Sequence, residues 1–179
     1  ILLLMMPLLT MKLLADEKKS GTMELLLTYP VRDAEVVLGK FLACVTVFAA
    51  MLLSTISYPL LLVNLGTPEV LPMVTGYVGL FLLGAAFISL GIFTSSLTEN
   101  QIIAGSLSVG ILFFFWLMSY STTFVSPGIG QIISYLAINE HLESLAKGVV
   151  DTEDILYFLI FIVLFLFLTL RSLESKRWR

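Results

Sequence analysis

The residues that could do chemistry are few and sit in two places. The first is "DEKKSGTMELLLTYP", residues 16–30, a charged insert between apolar stretches. The second surrounds the single histidine, His141, with Glu140 and Glu143 beside it in sequence. A metal site at His141 would have to recruit those carboxylates, but on a helix Glu140 points away from the histidine. The one cysteine, Cys44, lies in an apolar run and has no second thiol for a disulfide or a metal centre, so it reads as a small packing residue. No Gly-x-x-x-x-Gly-Lys-Ser/Thr phosphate loop occurs, because Lys19-Ser20 lacks the preceding glycines. Any dependence on ATP must therefore come from another polypeptide. No nucleophile–base pair is visible either, which leaves a chain with no catalysis of its own to assign.

The elements that position these residues are apolar. Hydrophobic residues make up 58% of the 179 and charged residues only 13%, against about 25% in soluble domains. Mean hydropathy is +1.01. Spans are expected at about 41–63, 73–96, 102–124 and 155–171. Each is helical because lipid offers no partner to an unpaired backbone group. Pro72 suits a first helical turn, and the polar cluster "SYSTTFVSPGIG" ends the third span. Residues 1–14, which open on Ile1 within an apolar run, read as the end of a further span whose start is missing. The whole is expected to be one all-α, polytopic membrane domain, 1–179.

Basic residues orient it. With residues 12–40 inside, the inner side holds Lys12, Lys18, Lys19, Arg32, Lys40, Arg171, Lys176, Arg177 and Arg179. Only Lys147 lies outside, where Glu140, Glu143, Asp151, Glu153 and Asp154 collect. The expected location is a plasma membrane, with the 16–30 segment and the C-terminus cytoplasmic. The net charge of -3 gives no reason to expect a nucleic-acid partner. Ion-coupled carriers usually need an ionisable group at membrane depth, and the spans contain no Asp, Glu, Lys or Arg before Arg171, which can snorkel to the interface.

Small residues recur as Ala85/Ser89, Gly91/Ser95 and Ser106/Gly110, pairs that let helices approach closely. They read as packing within the chain sooner than as a dimer seam. In the outer segment 131–150, Ile138, Leu142, Leu145 and Val149 fall on one helical face, with Asn139, Glu140, Glu143 and Lys147 on the others. An amphipathic helix lying at the interface follows, as a cap or as the lining of an exit.

The insert 16–30 is cytoplasmic in this topology. Residues 12–40 carry five basic side chains (Lys12, Lys18, Lys19, Arg32, Lys40) and five acidic ones (Asp16, Glu17, Glu24, Asp33, Glu35), which suits a protein surface better than an anionic lipid. Gly21 breaks the helix, Thr22 can cap a new one with Glu24 in its first turn, Met23, Leu26 and Leu27 would share a face, and Pro30 ends it. Asp33 is expected to cap the helix that follows.

The stretch "PLLTMKLLADEKKSGTMELLLTYPVRDAEVVLGKFLA" resembles the signature region of ABC-2 type transporter permeases, whose Glu-x-x-x-Gly-Thr-x-Glu pattern, leucines and proline match Glu17, Gly21, Thr22, Glu24 and Pro30. "EHLESLAKGVVDTEDILYFL" and "LFLTLRSLESKRW" resemble the family's outer segment and C-terminal end. The gliding-motility-associated branch looks nearest, with the copper-processing permeases of nitrous oxide reductase beside it. The resemblance implies a six-helix, type V exporter-like bundle of which this sequence lacks the first span and part of the second. It implies two permease subunits and two separate ATPase subunits that bind ATP. In that scheme 16–30 is a coupling helix docking on the ATPase through Glu17, Gly21, Thr22, Glu24 and Pro30. Residues 131–150 match a re-entrant element at the outer gate, carrying His141, Leu142, Leu145, Gly148 and Asp151. Some relatives place aromatic residues where Leu142 and Leu145 stand. From the residues alone, a membrane scaffold anchoring a cytosolic partner stays open as an alternative, as does a secondary carrier.

Overall fold

A computed structural model of the chain describes residues 1–21, 32–66, 69–121 and 134–177, the side chains of 121, 176 and 177 excepted. Among the described residues there is no strand; the helices are α1 (Leu2–Thr10), α2 (Lys12–Lys19), α3 (Asp33–Ser54), α4 (Ser57–Leu65), α5 (Val70–Leu97), α6 (Gln101–Ser121), α7 (Ile138–Ala146) and α8 (Thr152–Arg177), and residues 134–136 are helical as well. Four stretches are long and apolar enough to cross a membrane: Asp33–Leu65, Val70–Leu97, Gln101–Tyr120 and Thr152–Ser175. At about 1.5 Å per residue, even the shortest matches a hydrocarbon core of about 30 Å.

The helix α5 is the axis, packed by α1, α2, α3, α6, α7 and α8. Its sequence explains why. Gly79, Gly84 and Gly91 leave gaps along it, and each gap is filled by a different neighbour. Leu142 and Leu145 of α7 lie over Gly79, the Phe48 ring of α3 occupies the space a side chain at Gly84 would need, and Thr10 of α1 does the same at Gly91. Residues 83–92 of α5 are buried without interruption. Such a helix, apolar all round, can only be internal. Aromatic rings tie α6 and α8 to it, with Phe115 against Phe161 (5.4 Å), Phe161 against Phe165 (4.6 Å) and Phe165 against Phe93 (5.7 Å).

The expected span 41–63 is divided by a turn at Thr55–Ile56. The Tyr77 hydroxyl of α5 donates to the Thr55 carbonyl (3.0 Å), which also accepts the Tyr58 N–H (3.0 Å) as the turn runs into α4. No residue of α4 is buried. The apolar cleft between α3–α4 and α5 has a volume of about 590 Å³.

α1 and α2 are nearly one helix, since the linking Met11 keeps helical dihedrals (φ −57, ψ −29). Met6, Thr10, Leu14 and Ala15 are buried along their inner face. Asp33, expected as the cap of α3, occupies the first helical position instead. The cap position is Arg32, whose N–H is taken by Glu35 Oε2 (3.2 Å), because the longer Glu side chain can reach back one turn.

Candidate functional site

The bundle has two polar ends, built on different principles. At one, α2 lies against α3, α5 and α6. Glu17, half-buried, faces Lys40 of α3 at 2.5 Å, and the same Lys40 Nζ donates to the Leu13 carbonyl (2.8 Å). Asp16 accepts from the Gln101 amide at the start of α6. Lys18 donates to the Ser96 carbonyl near the end of α5, which also accepts from Ser172 Oγ of α8 (3.3 Å). Ser95 Oγ is the pivot of the set. It accepts from the Leu14 and Ala15 N–H groups (3.1 and 3.0 Å) and donates to the Met11 carbonyl (2.9 Å).

Gly21 closes α2. Its φ of +69 is the left-handed C-terminal position, and its N–H bonds the Lys18 carbonyl (3.3 Å). Nothing lies within 4 Å of where a Cβ would stand, so the backbone and not crowding asks for glycine here. Asp16, Glu17, Lys19, Ser20 and Gln101 line an open groove of about 450 Å³ at this end. Of the expected coupling residues, Glu17 and Gly21 are placed; Thr22, Glu24 and Pro30, with Met23, Leu26 and Leu27, lie outside the described residues.

At the other end, α7 lies on the opening half of α5. Of the expected 131–150, α7 covers Ile138–Ala146, residues 134–136 are helical before it, and 131–133 lie outside the described residues. A Schellman motif stops it: the Gly148 N–H bonds Leu145 O (3.2 Å) and the Val149 N–H bonds Ser144 O (3.1 Å), with Gly148 at φ +87. Val149 therefore leaves the apolar face and is exposed. Pro72 Cγ stands 3.1 Å from where a Cβ of residue 148 would be, so at this position space as well as backbone requires glycine. Leu145 is fully buried. Leu142 is half-buried and joins Leu3, Phe87, Leu112, Trp116 and Ile138 around an apolar cavity of about 780 Å³.

His141 is buried, with both ring nitrogens engaged. Nδ1 lies 2.6 Å from Asp154 Oδ1, and Nε2 lies 3.2 Å from the Tyr135 carbonyl. A carbonyl can only accept, so Nε2 carries a proton. A second proton must then lie between Nδ1 and the carboxylate. Tyr157 stacks on the imidazole at 4.1 Å and donates its hydroxyl to the Leu136 carbonyl (2.9 Å). Asp154 Oδ2 is buried with no hydrogen-bond partner among the described residues. The arrangement ties α7 and the helical residues 134–136 to the start of α8. Asp151, expected at this site, is exposed, and its carbonyl takes the Ile155 N–H (3.5 Å) as α8 begins. Outside the cluster, Glu143 pairs with Lys147 at 2.7 Å, and that hydrogen bond holds its carboxyl below the usual range. Among the described residues no three His, Cys, Asp or Glu side chains converge on a metal position.

The model of the ABC-2 family transporter proteins matches residues 2–178. The chain belongs to that family. It is also similar to the probable ABC transporter permease protein NosY of Pseudomonas aeruginosa, with 33% identity over 124 residues, covering 64% of this chain and 45% of that protein. The chain thus spans less than half the length of that relative. No solved structure matches it. Family membership and the four apolar helices together make it an all-α, multi-pass membrane protein.

Three residues at the first end and two at the second were not singled out by sequence. Lys40, Gln101 and Ser95 contact α2 from positions 23 to 85 residues away in the chain. Asp154 and Tyr157 complete the histidine cluster. For Asp154 there was a signal: it is the last acidic residue before the final apolar run, where a carboxylate needs a partner. For Gln101 there was none.

Proposed function

We propose that the chain is the membrane-spanning permease subunit of an ATP-driven ABC-2 type exporter, acting with a separate ATPase subunit that binds the ATP and with a second permease subunit. The end that carries α2 and Gly21 faces the cytoplasm of a bacterial inner membrane, as does the C-terminus, in keeping with the nine basic residues on that side. The segment beginning at Asp16 and running through Pro30 is the coupling element. The outer end, with α7, is the gate. What supports the reading is the family match along nearly the whole chain, joined to the way α2 is bonded to three other helices, α3, α5 and α6. A displacement of the coupling element is then felt by the entire bundle at once.

The test is co-purification of the tagged chain with an ABC ATPase co-expressed with it, followed by ATP hydrolysis and transport in reconstituted membranes. Gly21→Pro and Glu24→Lys are expected to weaken that association without unfolding the bundle. Proline cannot adopt a φ of +69. Full retention of the ATPase by both variants would remove the coupling assignment. ATPase binding with no movement of any solute would favour the scaffold. Transport driven by an ion gradient without ATP would favour the carrier.

A further inference from the structure

We infer that Lys40 and Gln101 are positioning residues that transmit the motion of the coupling element to the bundle, without themselves forming the surface on which the ATPase docks. The inference rests on the permease reading above and adds to it which residues carry the motion.

α2 is two turns long, and only Leu14 and Ala15 of its residues are buried. Its continuity with α1 through Met11 holds it along the bundle, but so small an apolar face cannot pass a sideways push to α3 and α6 by packing alone. Each of its charged residues from 16 to 18 is instead bonded to a different helix. Glu17 meets Lys40 of α3, Asp16 meets Gln101 of α6, and Lys18 meets the end of α5. Three bonds in three directions fix a rigid body where one would leave a hinge.

The bonds differ in kind. The Lys18 and Ser95 contacts reach α5, the helix at the centre of the bundle, and so seat α2 on the axis. Lys40 and Gln101 reach α3 and α6, which have long exposed apolar faces and make fewer contacts with the axis than α8 does. Those are the helices free to tilt. Lys40 is doubly committed, bonding both the Glu17 carboxylate and the Leu13 backbone carbonyl, so α3 follows α2 even where one bond stretches. Both residues are half-buried with their polar groups committed to α2, whereas Ser20 and Gly21 are exposed and lead into the rest of the coupling element. A residue whose bonds are spent on the lever can matter for its movement and not for what grips it.

The experiment uses the full chain with its ATPase in lipid nanodiscs, with Cys44→Ala removing the native thiol and Val149→Cys placing a reporter on the exposed outer loop. The reading is the rate of labelling by a membrane-impermeant maleimide with and without ATP, beside ATPase co-purification and ATP hydrolysis. In the reporter background, ATP is expected to change the labelling rate. Lys40→Met and Gln101→Glu, each close to the native side chain in size, are expected to shrink that change by roughly fivefold or more, the lower range of allosteric coupling. The ATPase should still co-purify and still hydrolyse ATP. Lys40→Arg, which keeps both donations, is expected to restore the change. An ATP-dependent change that survives in both Lys40→Met and Gln101→Glu overturns the inference. So does loss of the ATPase from both variants, which would make these residues part of the docking surface, or failure of Lys40→Arg to rescue. If the reporter background itself retains no ATPase, the permease reading falls and this inference falls with it.

Discussion

Two ion pairs mark the two ends of this bundle, and they are built oppositely. His141 and Asp154 lie 2.6 Å apart with side chains 11% and 8% exposed, 13 residues apart in the chain, walled by a stacked tyrosine. Lys40 and Glu17 lie 2.5 Å apart but are 19% and 27% exposed, and they join elements at opposite sides of a 22–31 stretch. One is a buried local staple, and the other is a wetter link in a web of backbone and side-chain bonds that reaches four helices. A buried pair resists being pulled apart, because either partner left alone is an uncompensated charge. A pair partly open to water can lengthen, and water takes up the slack. The difference suits an end held shut by its own side chains and an end moved by something outside the chain.

The comparison is broken most forcefully by deleting one partner at each end. His141→Ala leaves the Asp154 carboxylate buried, with Oδ1 newly orphaned beside an Oδ2 already without a partner among the described residues. Loss of a buried partner costs about 3–5 kcal/mol. Lys40→Met at the other end leaves a Glu17 carboxylate that is 27% exposed and partly reached by water, and should cost less than the His141 deletion. Unfolding of both variants in mixed micelles by a denaturing detergent measures the difference directly. Equal destabilisation would mean the two ends are held alike, and the contrast drawn here would be lost.

How far the sequence discloses each end follows the same divide. The four long apolar helices are legible because a charge-free run has one meaning in a membrane. Their arrangement is not, since a helix apolar on every side, like α5, gives no periodicity to say which neighbour takes which face. The small residues come nearest to saying so. Ala85, Ser89, Gly91 and Ser95 are buried against other helices of the chain, as the packing reading expects, whereas Ser106 and Gly110 are exposed. At the inner end, the balance of charge in residues 12–40 pointed to a protein partner, but Glu17 turns inward to Lys40. Counting charges gives their balance and not the direction in which each one points. At the outer end, the apolar face of α7 was readable and its stop was not: Gly148 looks like any glycine until the Schellman bonds show that the chain reverses there. That reversal is what brings Asp154 under His141.

A second test compares the seats of the two ends on α5. At Gly91 a methyl group would overlap Thr10, a short side chain fixed to its helix by a hydroxyl bond to the Met6 carbonyl (2.9 Å). At Gly79 it would meet Leu145 Cβ at 3.1 Å and Leu142 Cδ1 at 3.3 Å, contacts relieved by a shift of a few tenths of an ångström. Gly91→Ala is expected to lose about 1–3 kcal/mol to overpacking. Gly79→Ala should come close to neutral, because alanine recovers about 1 kcal/mol of helix propensity. Unfolding in the same micelles gives the ordering. A Gly79→Ala loss as large as that of Gly91→Ala would show that α7 is seated on α5 as tightly as α1, contrary to the looser contacts at Gly79.

The smallest effect sits on the solvent face of α7, where Glu143 and Lys147 pair at i and i+4 with side chains about two-thirds exposed. The lysine holds the Glu143 carboxyl below its ordinary range, through the hydrogen bond first and the charge second. A folded-state pKa lowered in this way contributes stability above the unfolded value and gives it up as pH falls through the folded one. At neutral pH the contribution is therefore present, but the group is surrounded by water, and screening leaves little of it. Lys147→Met is expected to move the Glu143 titration back up toward the usual glutamate range, read by NMR of a carboxyl-labelled sample, while the unfolding midpoint at neutral pH stays where it was. The contrast with His141 is the point of the measurement, because both pairs hang on the same nine-residue helix. If removing Lys147 lowers the midpoint as much as removing His141, then α7 is held from its wet face as well. The buried cluster would not then be the feature that fastens the outer end.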